Sequence, residues 1–140
     1  MLKNYDLDIL LLAECQRPEH EFLREVRSQT SQPFREASVL GGSKVRFFYN
    51  SDNCSVSDCW DSLMGDMSAK RVQQGDVSIL LFGVHFPSVL GSSKEAQSQW
   101  AVEAVSEVRR IETENNHSNS IVIGDFNICL LYTSPSPRDS

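Results

Sequence analysis

Three apolar runs in this 140-residue chain end in side chains that can do chemistry. LDILLLA, from Leu7 to Ala13, is followed by Glu14. ILLFGV, from Ile79 to Val84, is followed by His85. IVIG, from Ile121 to Gly124, leads into Asp125, with Asn127 two positions on. Polar residues at the ends of core strands can converge at one edge of a sheet, where open α/β sheets put their sites. A carboxylate there can hold a hard cation through its oxygens. A second carboxylate can position or deprotonate a water. Asn can hydrogen-bond a phosphoryl oxygen without adding negative charge, and His can donate to charge that develops in a transition state. Mg²⁺ keeps several waters and needs only one or two protein carboxylates plus a substrate phosphate. Glu, His, Asp and Asn are therefore sufficient in kind for metal-assisted hydrolysis of a phosphoester. Each residue also has a plainer reading. Glu14 alone is a solvated loop residue, His85 before Phe86-Pro87 is a turn histidine, and Gly124-Asp125-Phe126-Asn127 is a turn.

The elements that must position these residues follow from pattern. Leu7 to Ala13 is a continuous apolar run suited to a strand covered on both faces. Pro18 opens a helix whose early turns carry Glu19, Glu21 and Glu25, with Phe22, Leu23 and Val26 facing inward. Phe34 to Leu40 and Lys44 to Tyr49 read as two strands joined by Gly41-Gly42. Ser55 to Trp60 alternates as a further strand. Met67 to Val72 and Val77 to Val84 form another pair, turning at Gln74-Gly75-Asp76. Ser92 to Asn116 is the longest helix, with Ala96, Trp100, Ala104, Val108 and Ile111 among its apolar stripe. Ser120 to Ile123 is the last strand, and its apolar content predicts burial. Helices interleaved with hairpins exclude simple βαβ alternation. They predict an α+β or layered α/β domain with mixed sheets and helices outside.

Composition narrows the class. The chain is 40% hydrophobic and 23% charged, with a net charge of −6, the balance of a single domain with one core. That sign argues against a protein that grips nucleic acid by bulk positive charge, though a bound metal would reverse it locally. No apolar run approaches the roughly 20 residues of a membrane span. Asp6 and Asp8 fall where a signal peptide would need apolar residues, so a cytoplasmic protein is expected. Cys15, Cys54, Cys59 and Cys129 match no zinc spacing and read as reduced thiols.

DLDILLLAE, LLFGVHFPS and IVIGDFN, in this order and separated by a helix before the last, resemble the blocks of the endonuclease/exonuclease/phosphatase superfamily, the group that includes DNase I and exonuclease III. The resemblance runs from Leu7 to Asn127. It implies a partial four-layer α-β-β-α sandwich with mixed, mostly antiparallel sheets. It also implies a Mg²⁺-dependent phosphoesterase, with Mn²⁺ as an alternative cofactor. The substrate would be a phosphoester: a nucleic acid, a phosphorylated small molecule or a lipid. By position, Glu14 would be the metal ligand and Asp125 would orient or activate the attacking water. Asn127 would bind the scissile phosphate, and His85 would stabilise the transition state. Two departures stand out. Gly83-Val84 replace the Asn-Thr that often precedes the histidine, and Ala13 stands where a Gln usually precedes the glutamate.

The ends differ from the family pattern as well. The resemblance implies a strand carrying an Asn upstream of the glutamate strand and an Asp-His pair well beyond GDFN, and neither is present. The segment from Cys129 to Asp139, CLLYTSPSPRD, reads as a translated sequencing adapter. Residues 1–128 are therefore expected to be a partial domain and residues 129–140 an unstructured tail. On that basis the fragment is expected to be a poor catalyst. A competing expectation is a non-catalytic binding module on the same fold. A third is an unrelated α/β enzyme, which would need a Gly-rich phosphate loop or another nucleophile motif. Gly41-Gly42-Ser43 does not supply one, because it precedes a strand rather than a helix.

Overall fold

A computed structural model describes residues 6–38, 43–88 and 93–127. Among these the chain order is β1 (Ile9–Ala13), α1 (Glu19–Gln29), β2 (Phe34–Glu36), β3 (Val45–Asn50), β4 (Ser55–Asp61), β5 (Met67–Gln74), β6 (Val77–His85), α2 (Lys94–Glu114) and β7 (Ser120–Asp125). The expected Gly41-Gly42 turn and the segment 129–140 lie outside the described residues.

The strands form two sheets. One has the order β1-β3-β2 and is antiparallel throughout. The other has the order β4-β5-β6-β7, antiparallel except for the parallel pair β6–β7. Parallel neighbours need a long crossover, and α2 supplies it. Pro18 stands at the N-cap of α1. Ser93 caps α2, its Oγ accepting from the Ala96 amide at 3.2 Å.

Alternation along the strands makes three apolar layers. Leu10 and Leu12 of β1, with Phe34 and Phe48, pack against Leu23 and Val26 of α1. On the other face, Ile9 and Leu11 join Val45, Phe47, Val72, Ile79 and Leu81 between the sheets. Leu80, Phe82 and Val84 of β6, with Met67 and Ala69, then meet Ala104, Val108 and Ile111 of α2. Phe47 and Phe48 are adjacent and point to opposite faces, yet each is at most 1% exposed, as a sheet covered on both sides requires. The architecture is an α+β sandwich, layered helix, sheet, sheet, helix.

Two expectations about burial are corrected. β7 was expected to be buried, but Ile121, Val122 and Ile123 are 40–49% exposed. Among the described residues β7 is the outer strand of its sheet, with a described neighbour, β6, on one side alone. β1 is covered on both faces but only partly buried, because it too is an edge strand. Lys70, a residue on which periodicity is silent, is also buried, at 1% exposed. Its Nζ lies 3.0 Å from Asp58 and 3.3 Å from Asp61, and 5.9 Å from the centre of the Phe47 ring. Two carboxylates allow a cation to stand where an apolar residue would be expected.

Gly83 sets how closely the sheets approach. A Cβ there would lie 2.5 Å from Val45 Cγ1, 2.6 Å from Leu11 Cδ1 and 2.7 Å from Phe47 Cζ. All three atoms belong to the facing sheet. Gly83→Ala should therefore overpack the interlayer and destabilise the fold by about 1–3 kcal/mol. Urea unfolding that gave an unchanged midpoint would mean that the sheets are looser than described.

Candidate active site

The site lies where the C-terminal ends of β1, β6 and β7 come together. Glu14 is the first residue after β1, and its backbone has φ of +53°. That left-handed turn carries the chain out of the sheet, while the Glu14 amide still bonds the Lys44 carbonyl at 2.8 Å. The side chain is 70% exposed. His85, the last residue of β6, is 9% exposed, and its amide bonds the Asp66 carbonyl at 2.7 Å. Nε2 of His85 lies 3.4 Å from Oε1 of Glu14. The two residues come from different sheets, so this contact bridges them. Nδ1 of His85 is buried and has no hydrogen-bond partner among the described residues. A buried polar atom without a partner calls for a water, an ion or a ligand.

Asp125 stands directly across from His85 in the parallel β6–β7 register, and its carbonyl accepts from the Phe86 amide at 2.8 Å. Gly124 makes this pairing possible. Its φ is +149°, and a Cβ there would lie 1.9 Å from the Val84 carbonyl oxygen. Oδ1 of Asp125 accepts from the Asn127 amide at 2.9 Å, the Asx turn that Asp favours. Asn127, with φ of +46°, donates its side-chain amide to the Phe86 carbonyl at 2.6 Å. Its own carbonyl accepts from Gln97 of α2 at 3.2 Å. Phe126 is edge-on to Phe86, with centroids 5.5 Å apart. The GDFN string is thus a turn and also a fixed mount. It ties Asp125 and Asn127 to the segment that carries His85.

The structure therefore joins Glu14 to His85 and joins His85 to Asp125 and Asn127 through the backbone. No group of three or more His, Cys, Asp or Glu side chains among the described residues is arranged to hold a metal ion by itself. The donor set nevertheless suits Mg²⁺. A hard, water-rich cation needs only one or two carboxylates, and Glu14 offers an accessible one, its Oε1 3.4 Å from Nε2 of His85.

Sequence reasoning missed Arg46. It sits in β3 between Val45 and Phe47 and forks onto Glu36 with contacts of 2.5 and 2.7 Å. Its remaining NH1 group donates to the carbonyls of Cys15 at 3.2 Å and Arg17 at 2.5 Å, so it clamps the turn that follows Glu14. The hydrogen bond to Glu36 raises the guanidinium pKa further. The one signal in the sequence was a charge inside the apolar run VRFFYN.

Comparison with solved structures places the fold. The chain matches D. rerio TDP2 complexed with a single-strand DNA product at 19% identity and a TM-score of 0.56, covering 91% of this chain and 51% of that one. It matches ANGEL2, a 2′,3′-cyclic phosphatase in complex with adenosine-2′,3′-vanadate, at 16% and 0.58, covering 93% and 42%. It matches the human Nocturnin catalytic domain with bound sulfate at 14% and 0.59, covering 91% and 54%. All three proteins are endonuclease/exonuclease/phosphatase superfamily members, and the chain has their fold. It spans about half the length of the solved structures it matches. No family model and no curated protein matches it.

Side-chain exposures of 12% for Arg46 and 10% for Glu36 set a stability test. Arg46→Ala leaves Glu36 buried and unpaired and should cost about 3–5 kcal/mol. Replacing both partners with apolar residues, Arg46→Met with Glu36→Leu, should recover much of that loss. Denaturant melts of the three variants check it. Equal losses in the single and double variants would deny the coupling.

Proposed function

We propose that this chain is part of a metal-dependent phosphoesterase that hydrolyses a phosphodiester or phosphomonoester. The observation that carries the reading is the 3.4 Å approach of Glu14 to His85 from two different sheets, with Asp125 in register beside His85. A structural core has no need of a carboxylate and an imidazole brought together there.

In this reading Glu14 would hold Mg²⁺ or Mn²⁺, which when bound would supply positive charge to the phosphate as a Lewis acid. Asp125, exposed and fixed by the Asx turn, orients the attacking water and takes its proton. His85, walled in on most sides, donates to the charge that gathers on the phosphoryl oxygens. Asn127 positions the phosphate. Its amide already bonds the Phe86 carbonyl, so it acts from a fixed direction and adds no negative charge. The likeness to a TDP2 structure holding a single-strand DNA product supports nucleic acid as the first substrate class to try. No helix among the described residues is long and apolar enough to cross a membrane.

Because the chain spans about half the length of its structural neighbours, we infer that it binds the cation but turns over poorly alone. Catalytic groups that act as a unit are strongly non-additive. Mg²⁺ should stabilise the wild-type chain by mass action, by up to about 2.7 kcal/mol at a hundredfold excess over Kd, read as a rise in its thermal midpoint. Glu14→Gln should abolish that rise. Any hydrolysis of single-stranded DNA or bis(p-nitrophenyl) phosphate should fall about 10²–10⁴-fold in Asp125→Ala. A midpoint that ignores Mg²⁺, together with hydrolysis that is absent or indifferent to Asp125→Ala, would leave a non-catalytic module on this fold.

A further inference from the structure

A second cavity lies on the opposite face of the sheet from His85, between α2 and the β4–β5 turn. Its volume is about 310 Å³, at the small end of ligand pockets, which run to roughly 300–1,000 Å³. Trp60, Trp100 and Met64 supply aromatic and thioether surface to its wall, and Asp66, Glu103 and Glu107 supply carboxylates. Among the described residues no Lys or Arg lines it. We propose that this cavity binds a quaternary ammonium cation.

Three observations favour that occupant. Aromatic faces attract cations through the ring quadrupole, and Trp does so best. The Arg110 guanidinium already sits 5.7 Å from the centre of the Trp60 ring, so the environment of that ring accepts positive charge. The carboxylates add negative potential, yet each is already hydrogen-bonded. Asp66 accepts from Ser62 Oγ at 2.6 Å, Glu103 from Gln99 at 2.8 Å, and Glu107 from Arg110 at 2.7 Å. Arg110 divides its charge between Glu107 and Glu114, so the three lining carboxylates keep a net negative balance. A primary ammonium must be given acceptors for three N–H groups. A quaternary ammonium has none to satisfy and needs only apolar contact and opposite charge, which this cavity offers. An anion is disfavoured here for the same electrostatic reason. The inference does not rest on the phosphoesterase reading, because no residue of the Glu14–His85 contact lines this cavity.

The chain contains two tryptophans, and both line the cavity, so intrinsic fluorescence reports its occupancy. Tetramethylammonium chloride, titrated into the whole chain at constant ionic strength, should give a saturable change in emission. Its uncharged isostere 3,3-dimethyl-1-butanol should bind at least about tenfold more weakly, as should methylammonium. Glu103→Gln alters an exposed residue and should leave the fold intact while weakening binding severalfold. Trp60→Leu should weaken it about tenfold, read from the remaining Trp100. The proposal is overturned if the change never saturates, if the neutral isostere binds as well as the cation, if methylammonium binds more tightly, or if Glu103→Gln binds like wild type.

Discussion

The close approach of the two sheets at Gly83 is the constraint on which the site depends. Gly83 and His85 face the same way on β6, two residues apart. Leu11 lies three residues before Glu14. The absent Cβ lets Leu11, Val45 and Phe47 of the first sheet press to within contact of the β6 backbone. That spacing then propagates along both strands to their ends. Glu14 and His85 can meet at 3.4 Å only because the interlayer is this thin a few residues earlier. A wider gap would leave a solvated carboxylate on one sheet and a buried imidazole on the other. Gly83 is also one of the positions where the chain departs from the family pattern it resembles, so steric need at this position gives that residue a reason independent of chemistry.

Much of this was legible in the sequence. The helices and strands fall close to where periodicity and turn residues put them, because each apolar run serves one layer and its alternation records which. The order Glu14, His85, Asp125, Asn127 at strand ends was equally readable, since a polar residue closing an apolar strand is a local signal. What could not be read was set by neighbours distant in sequence. β7 has the composition of a buried strand but lies at an edge. Lys70 and Arg46 look like solvent-facing charges. One is buried against Asp58 and Asp61 across a strand pair, and the other clamps Glu36 and the carbonyls of Cys15 and Arg17. Single-sequence periodicity reports hydrophobicity along the chain, and these outcomes depend on which strand lies next to which.

Backbone strain is concentrated at the same end of the molecule. Glu14 and Asn127 have positive φ without being glycine, and Gly124 adopts a value that only glycine takes easily. Such conformations cost of order 1–3 kcal/mol each and persist only where surrounding contacts hold them. Those contacts are present. The Glu14 turn is held by the Lys44 carbonyl and by Arg46, and Asn127 by the Asp125 carboxylate, the Phe86 carbonyl and Gln97. Asn116 has the same conformation at the end of α2, where it ends a helix and carries no proposed chemistry. Positive φ alone therefore does not mark the site. The mark is positive φ together with a polar side chain fixed near a strand end, Glu14 beside His85 of the other sheet and Asn127 on the Phe86 carbonyl.

Electrostatics bears on why a phosphoester reading needs an added cation. The chain carries −6 overall, and Lys70 and Arg46 are already matched, Lys70 by two aspartates and Arg46 by Glu36. Glu14 and Asp125 put two further carboxylates at the site. An anionic substrate approaching that edge would be repelled at close range, where screening by salt is weakest. The proposed divalent ion at Glu14 would reverse the sign locally and would give the phosphate something to bind. The second cavity, lined by carboxylates and tryptophans on the other face of the sheet, has the opposite preference. On the proposed reading, the same acidic balance would make one face dependent on a metal and the other receptive to an organic cation.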